Sequence, residues 1–282
     1  MKKIVFLFVG VIVVTMFFST GCTNKGADVA DSITADTLLE DTTANDTLSQ
    51  IIEEEIMPAA ADELFDDFFF NYAASRKVQK ERTVFPLPVN SWGKLSKIEE
   101  KAWKREHFFM RQGYYTLIFH RASQMNMVKD TTVNEVTVEK IVAGKNMVTR
   151  WHFARKRGLW HMDSLTYMSL GKHEDAGFIR FYQRFATDSA FQQHSLAESI
   201  AFTGPDPDDD FSTMTGEIMP EQWSMFVPWM PSGTLYNIIY GSSPYPVSNT
   251  RLLYVRGIAN GLQMDMVFTR KGKSWILKKV NT

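Results

Sequence analysis

Apolar side chains recur with a helical period at two places along the chain. Between positions 64 and 73, and again between 178 and 186, apolar residues stand three or four positions apart, which predicts an amphipathic helix in each stretch. The two stripes consist of Leu64, Phe65, Phe68, Phe69, Tyr72 and Ala73, and of Phe178, Phe181, Tyr182, Phe185 and Ala186. We expect both stripes to pack into a hydrophobic core.

The pattern changes to that of β-strands further along. Positions 114–120 and 234–240 are rich in β-branched and aromatic residues, and positions 133–142 alternate between apolar and polar, which predicts strands in all three segments. Positions 143–146 and the pair Asn260-Gly261 are hairpin signals at corresponding places.

Between the first helix and these strands, two further elements are predicted in each half. Positions 83–88 contain two prolines, which exclude a helix interior and suit an extended edge. A second helix is predicted at 97–110, with a shorter counterpart at 221–230.

These patterns occur twice along the chain, in the same order. The matched pairs include Gln79 with Gln192, Trp103 with Trp223, Met110 with Met230, Gly113 with Gly233, Ile118 with Ile238, Phe153 with Phe268 and Trp160 with Trp275. We therefore expect two copies of one domain, at 58–170 and 171–282, each with helices followed by about four antiparallel strands. Helices on one face of an antiparallel sheet make this an α+β fold.

The N-terminus has the pattern of an export signal. Lys2 and Lys3 precede an apolar run that is too short to span a bilayer comfortably, and the run ends in small residues before Cys22. This stretch resembles the lipobox of bacterial lipoproteins. The resemblance implies a cleaved signal peptide at 1–21, a lipidated Cys22 and a membrane anchor, with outer-membrane sorting on the periplasmic or surface face. Cys22 is the single cysteine, so no internal disulfide is expected.

Composition separates a tether from the folded part. Residues 23–57 hold nine acidic residues and one lysine, so the segment 22–57 is expected to be a disordered acidic tether. The net charge of the whole chain is −1, which leaves a mildly basic remainder after the leader and the tether. Because that charge is spread along two domains, we do not expect nucleic acid as a partner.

The order and size of the predicted elements resemble the nuclear transport factor 2-like fold, a curved antiparallel sheet wrapped around helices into a cone. The repeated aromatic helix motif and the terminal basic-Gly-Trp hairpins at 155–160 and 270–275 also resemble a lipoprotein family of gut anaerobes placed in that superfamily. The resemblance carries no residue-level function, since the superfamily contains both enzymes and binding modules.

The candidate functional residues are those that do not recur in both copies. His120, His152, Asp163 and Tyr167 are candidates for a polar pocket in the first cone, because histidine suits proton transfer near neutral pH. Their matched positions in the second copy include Tyr240 and Val267, so no shared histidine site and no catalytic residue is assigned. No cofactor is expected.

Unmatched aromatic residues are candidates for ligand contacts. Trp92, Trp151, Trp229 and Tyr245 occur once, and exposed aromatic rings stack on sugars and peptides. For each, core packing is the alternative.

An acidic run gives one candidate metal site. Asp206, Asp208, Asp210 and Glu217 match positions 1, 3, 5 and 12 of a calcium-binding loop. Phe211 occupies the position where that loop needs glycine, and a solvated acidic loop is the alternative.

Three functions remain open from the sequence. The leading hypothesis is a non-enzymatic envelope lipoprotein that binds a small molecule, glycan, peptide or partner protein. The alternatives are an envelope enzyme of isomerase or hydrolase type, using His120 or His152 with Asp163, and a purely structural protein.

Overall fold

The computed structural model describes residues 62–282 apart from 207, 242–244 and 246. The leader, Cys22 and the tether to residue 57 lie outside the described residues. The helices are α1 Phe65–Ala74, α2 Arg76–Glu81, α3 Ala176–Phe185, α4 Ser189–His194 and α5 Trp223–Phe226. None of the helices in this described part is long and apolar enough to cross a membrane.

Twelve β-strands make up the rest of the regular structure in the described residues. They are β1 Leu87–Ser91, β2 Lys94–Ile98, β3 Tyr114–Phe119, β4 Glu135–Val142, β5 Met147–Lys156, β6 Leu159–Ser169, β7 Leu196–Asp206, β8 Asp209–Ile218, β9 Leu235–Tyr240, β10 Thr250–Gly257, β11 Gln263–Lys271 and β12 Ser274–Asn281. We call α1 to β6 the first half and α3 to β12 the second half. Each half begins with two helices and contains six strands, and the short helix α5 lies between β8 and β9 of the second half.

The paired helices at the start of each half are built alike. Ser75 accepts a hydrogen bond from the Val78 N–H at the start of α2, and Asp188 accepts one from the Phe191 N–H at the start of α4. A side-chain oxygen at this position satisfies an amide that has no partner within the helix. The first helix of each pair carries the aromatic stripe predicted from the sequence.

The stripe of α1 fills the first core. The ring of Phe65 lies 5.4 Å from that of Phe153 on β5 and 5.1 Å from that of Trp160 on β6, measured between centroids. Phe68, Phe69 and Tyr72 are buried in the same cluster.

The stripe of α3 fills the second core in the same way. The ring of Phe178 lies 5.5 Å from that of Phe268 on β11 and 5.3 Å from that of Trp275 on β12. The recurring tryptophan and phenylalanine pairs are therefore packing residues in both halves, as their recurrence predicted.

The two halves share one continuous sheet and exchange a strand. The strand order is β2-β1-β6-β5-β4-β9-β3-β10-β11-β12-β7-β8. β4 pairs antiparallel with β9 of the second half, and β10 pairs antiparallel with β3 of the first half. β3 and β9 meet in parallel at Thr116 and Asn237. Each half therefore contributes its third strand to the sheet of the other.

The exchanged strands are covered on both faces. Leu117 and Phe119 of β3 belong to the first core, whereas Ile118 between them belongs to the second. Because alternate side chains of a strand point to opposite faces, the two cores lie on opposite sides of the central strands. Strands buried in this way have nearly continuous apolar sequences, which is what positions 114–120 and 234–240 show.

The prediction of a helix at 97–110 was wrong. Lys97 lies in β2, and a 3₁₀ turn at Glu100–Ala102 leads into an irregular segment. Gln79 is fully buried and holds this segment, because its side chain donates to the Glu106 carbonyl at 2.7 Å and accepts from the Glu106 N–H at 3.0 Å. In the second half the predicted helix at 221–230 shrinks to α5.

Candidate functional site

Candidate functional side chains lie in a buried ionic cluster at the junction of the halves, in a histidine–aspartate pair on the first half, along several cavities and grooves, and in an acidic hairpin. The ionic cluster begins with Glu139 on β4, whose side chain is fully buried. Arg150 lies opposite on β5, with its Nε 2.5 Å from a Glu139 carboxylate oxygen. Arg150 also donates to Glu174, at 3.1 Å from its Nη1.

His173 and Asn237 complete the surroundings of Glu139. His173 Nε2 lies 3.0 Å from the carboxylate, while the Asp175 N–H donates to His173 Nδ1 at 2.9 Å. Asn237 on β9 donates to Glu139 at 3.2 Å and accepts from the Ile118 N–H at 3.0 Å. The exchanged strands β9 and β3 are thus tied to the buried carboxylate of β4.

A second carboxylate, Asp175, continues the cluster. His120 Nε2 lies 3.0 Å from one oxygen of Asp175, and Arg251 Nε donates to the other at 2.7 Å. The ring of Tyr245 lies 5.3 Å from that of His120, and the Tyr245 hydroxyl donates to the Tyr240 carbonyl. The structure therefore brings together His120 and Tyr245, two residues that the sequence singled out independently.

The electrostatics of the cluster keep its carboxylates charged. Burial raises the pKa of Glu139, but its contacts with His173, followed by those with Arg150, lower it by more, so the pKa of Glu139 lies below its ordinary value. The pKa of Asp175 is likewise lowered, because His120 and Arg251 outweigh its burial. Charges partnered in this way are typical of a structural ion network, and neither Glu139 nor Asp175 lines one of the four cavities described below.

Sequence reasoning missed most of this cluster. It named His120 but not Glu139, Arg150, His173, Asp175 or Arg251. No local signal marked Glu139, because it directly follows Val138 and falls on the polar side of the alternation, which predicts an exposed side chain. Its need for a buried partner follows only from the burial seen in the structure.

Of the two pairings considered from the sequence, His120 or His152 with Asp163, the structure shows the second. Asp163 on β6 lies 2.7 Å from His152 on β5, with Lys156 at 3.2 Å from its other oxygen. The Asp163 hydrogen bond raises the pKa of His152. The pair is half-exposed on the strand surface.

Trp151 and Tyr167 have different surroundings. Trp151 is buried, with its ring 5.0 Å from that of Phe108, so its reading as a ligand-stacking ring is corrected to core packing. Tyr167 and Trp92 share a small cavity of about 220 Å³ at the β1–β2 turn. Burial raises the pKa of Tyr167.

Trp229 lies in an open apolar groove on the second half. Its ring is 56% exposed and stands edge-on to Tyr114 at 5.1 Å. The groove has a volume of about 480 Å³ and is lined by Phe202, Met225, Phe226, Val227, Pro228, Trp229, Gly261, Leu262, Gln263, Met264 and Thr282. No charged side chain belongs to that lining.

The segment of the first half that is aligned with residues 225–227 of the groove is polar, whereas the groove segment is apolar. The repeat aligns Met225, Phe226 and Val227 with Arg105, Glu106 and His107. A polar cavity of about 410 Å³ lies at this place, and its lining includes the charged residues Arg105, Glu106, Arg111 and Lys140 together with His107. Burial raises the pKa of Glu106 there. The residue aligned with Trp229 is Phe109, which is fully buried.

A further groove of about 610 Å³ lies beside Tyr245. It is lined by residues of both charges, including Arg121, Asp130 and Glu135. The groove is open to solvent. Tyr245 is part of its lining, and the His120 ring lies 5.3 Å from the Tyr245 ring on the protein side.

The calcium-loop reading of 206–217 is corrected by the structure. Asp206 ends β7, Asp208 lies in the turn, and β8 carries Asp210 and Glu217. Glu217 pairs with Ala201, eight residues along the strand from the turn, or roughly 26 Å at 3.3 Å per residue. The carboxylates of a hairpin extended in this way cannot wrap around one ion. No cluster of three or more metal-ligating side chains is found in the described residues.

Comparison with known proteins places this fold in a family. The model of the "Domain of unknown function (DUF4348)" family matches residues 44–282. The chain is similar to the crystal structure of an NTF2-like protein from Bacteroides fragilis NCTC 9343, with 38% identity and a TM-score of 0.70 over 78% of this chain and 96% of that one. A comparison with curated proteins finds no match. The chain, with its mixed α+β architecture and large curved sheet, belongs to the DUF4348 family and has the NTF2-like fold.

Proposed function

We propose that this protein is a non-enzymatic binding module of the cell envelope, and that the Trp229 groove holds an uncharged, apolar small molecule. The observation that carries the proposal is the exposure of apolar surface in one concave place: Met225 is 80%, Trp229 56% and Val227 39% exposed. A contiguous group of exposed apolar side chains around a concave surface is typical of a ligand-binding site.

Side chains fill the hydrophobic core of each half, so we place the ligand outside these cores. The large rings of both aromatic stripes are buried among one another, which leaves the interior of each half to packing. The histidines suggested for an enzyme are partnered by Asp175 and Asp163, and neither His120 nor His152 lines one of the cavities described above. The enzyme alternative is therefore less well supported than binding.

The groove chemistry favours an apolar ligand over a glycan. A glycan presents many hydroxyl groups, and each one that is desolvated without a hydrogen bond costs about 1–3 kcal/mol. Gln263 and Thr282 are the polar side chains of the lining, so an apolar molecule fits it better.

The uncharged fluorescent probe N-phenyl-1-naphthylamine tests the groove. We expect saturable binding to the full chain, weakened at least tenfold by Trp229→Ala and by Met225→Ser. Phe211→Ala is the matched control, because Phe211 is fully exposed and lies outside the groove. Probe binding that is unchanged in Trp229→Ala would contradict the proposal.

The envelope location is part of the same proposal and rests on the N-terminal sequence. Lipidation of Cys22 would anchor the chain, with the acidic segment 23–57 as a spacer. We expect Cys22→Ser to release the protein from the membrane fraction into the soluble fraction. Retention of the Cys22→Ser variant in membranes would refute the lipid anchor while leaving the groove untouched.

A further inference from the structure

The two edges of the twelve-stranded sheet differ in how they are protected. β2 forms one edge and has five residues, two of them lysines, Lys94 and Lys97. Short length and lysine side chains are common devices that prevent another strand from pairing with an edge. β8 forms the other edge, has ten residues and contains neither lysine, arginine nor proline. The second half therefore has a long edge without these devices.

The outer side of β8 is open for pairing. Its inner side pairs with β7 from Ile218 to Asp209, and no other strand in the described part of the chain pairs with it. Positions 213–217 are exposed, as are Phe211 (100%) and Met214 (37%). An edge of ten residues is about 33 Å long, and roughly every second residue directs its N–H and C=O away from β7.

The charge around this edge has one sign. Between Arg184 and Arg251 the sequence contains no lysine or arginine but eight acidic residues: Asp188, Glu198, Asp206, Asp208, Asp209, Asp210, Glu217 and Glu221. Along β7 and β8, Glu198, Asp206, Asp209 and Glu217 form no ion pair with any described residue. The nearest basic residues across the sheet are on β12, where Lys279 is aligned with Ala201 and thus lies two strands, or about 10 Å, from Glu217.

The negative charge around β8 indicates which kind of strand could pair with its open edge. A second copy pairing through its own β8 would place acidic residues opposite acidic residues, which destabilises a strand pair. The tether of the same chain is also excluded by repulsion, since residues 23–57 carry nine acids and one lysine. A strand with basic side chains would satisfy both the backbone groups and the carboxylates.

We propose that the β8 edge binds a basic, extended peptide segment of a partner protein by adding it as a thirteenth strand. Main-chain hydrogen bonds to β8 supply the pairing, and lysine or arginine side chains of the partner face Asp209 and Glu217 at the two ends of the strand. Threonine at positions 213 and 215 presents a β-branched surface between these ends that suits a neighbouring strand. The site is separate from the Trp229 groove and does not depend on it.

Synthetic nine-residue peptides test the proposal on the full chain. The probe peptide alternates lysine with valine and threonine, and binding is followed by fluorescence anisotropy and by amide hydrogen exchange of residues 209–218. We expect binding that weakens with rising salt, together with slower exchange of β8 amides. A peptide of the same sequence, N-methylated at alternate residues, keeps every charge but loses main-chain donors, and it should bind at least tenfold more weakly.

Substitutions in β8 itself, with the peptide unchanged, provide a second test of the same edge. Thr213→Lys with Thr215→Lys copies the lysine protection of β2 at two exposed positions, so folding should be preserved. It should weaken the probe peptide at least tenfold, while Lys94→Thr with Lys97→Thr on β2 should leave its binding to β8 unchanged. Equal binding of the N-methylated peptide, or binding that survives Thr213→Lys/Thr215→Lys, would overturn the proposal. Self-association of the chain that the same variant abolishes would overturn it in favour of a second copy.

Discussion

The carboxyl group of Asp66 lies in the first turn of α1 and accepts a hydrogen bond from the hydroxyl of Tyr240 on the exchanged strand β9. Burial raises the pKa of Asp66 from 3.8 to about 6; the Tyr240 hydrogen bond opposes this and the neighbouring Asp67 charge adds to it. A carboxyl with a raised pKa favours the folded state when it is protonated, so its ionisation removes stability as the pH rises from about 4 to 6.

We predict that Asp66→Asn stabilises the protein at pH 7 and not at pH 4. The raised pKa corresponds to a cost of up to about 3 kcal/mol at neutral pH, at 1.36 kcal/mol per pKa unit. Loss of a negative charge from the first helical turn offsets up to about 1 kcal/mol of this. We therefore expect a gain of roughly 1–2 kcal/mol in the free energy of unfolding, measured by urea denaturation at both pH values.

The neighbouring carboxyl provides the control for this measurement. Asp67 is exposed in the same turn, so Asp67→Asn should not stabilise the protein at either pH, and it should cost at most about 1 kcal/mol for the lost first-turn charge. A loss of stability in Asp66→Asn of the same size at pH 4 and pH 7 would show that the Tyr240 hydrogen bond, and not the buried charge, governs this position.

At the scale of elements, the Glu139 cluster joins three strands of the central sheet. Glu139→Gln removes the negative charge that compensates Arg150 and that accepts the hydrogen bond of His173 Nε2 in a buried place. Removal of one partner from a buried ion network costs about 3–5 kcal/mol, because the remaining charge is left unpaired. We expect a loss of about 3 kcal/mol in the free energy of unfolding, measured by urea denaturation at pH 7.

An exposed ion pair is the matched control. Lys80 and Glu100 lie 3.7 Å apart with both side chains in water, and Glu100→Gln should cost less than about 1 kcal/mol. If Glu139→Gln proved as mild as Glu100→Gln, the cluster would contribute little to holding β4 and β9 together.

The elements that could be predicted from the sequence are those with a clear period. The aromatic stripes of α1 and α3 repeat every three or four residues, and the central strands are apolar enough to be recognised. The hairpin β7–β8 was missed because β8 is exposed on both faces and carries no apolar alternation. Its acidic turn resembled a calcium loop because ligand spacing along a sequence does not reveal whether the chain is extended.

The candidate sites could be predicted from the sequence only in part, because their side chains come from distant positions along the chain. His120 and Tyr245 could be singled out as unmatched residues, but their contact depends on Asp175 and Arg251, which come from different parts of the fold. The groove around Trp229 was indicated by one unmatched tryptophan. Its walls at 261–264 and 282 come from the β10–β11 turn, the start of β11 and the residue after β12, and no local pattern connects them to Trp229.

At the scale of the whole molecule, the exchange of β3 and β9 could not be read from the repeats. Both strands are apolar, both belong to the same repeat position, and each could pair with β4 or with β10 in the same antiparallel direction. The internal repeat therefore predicts two similar halves, but it does not determine which copy supplies a given strand. The exchange makes the halves depend on each other, since each core includes side chains from the third strand of the other half.

This dependence gives a prediction that two self-contained cones would not share. Phe65→Ala in the first core and Phe178→Ala in the second each remove a buried ring at matched positions and should cost about 3–5 kcal/mol. Because β3 and β9 cross between the halves, either variant should speed amide hydrogen exchange in both halves to the same extent, with β5 and β11 as matched reporters. Both variants should still unfold in a single transition when followed by tryptophan fluorescence and by circular dichroism. Faster exchange confined to β5 in Phe65→Ala and to β11 in Phe178→Ala would show that the halves unfold independently, and the exchanged strands would then contribute no cooperativity.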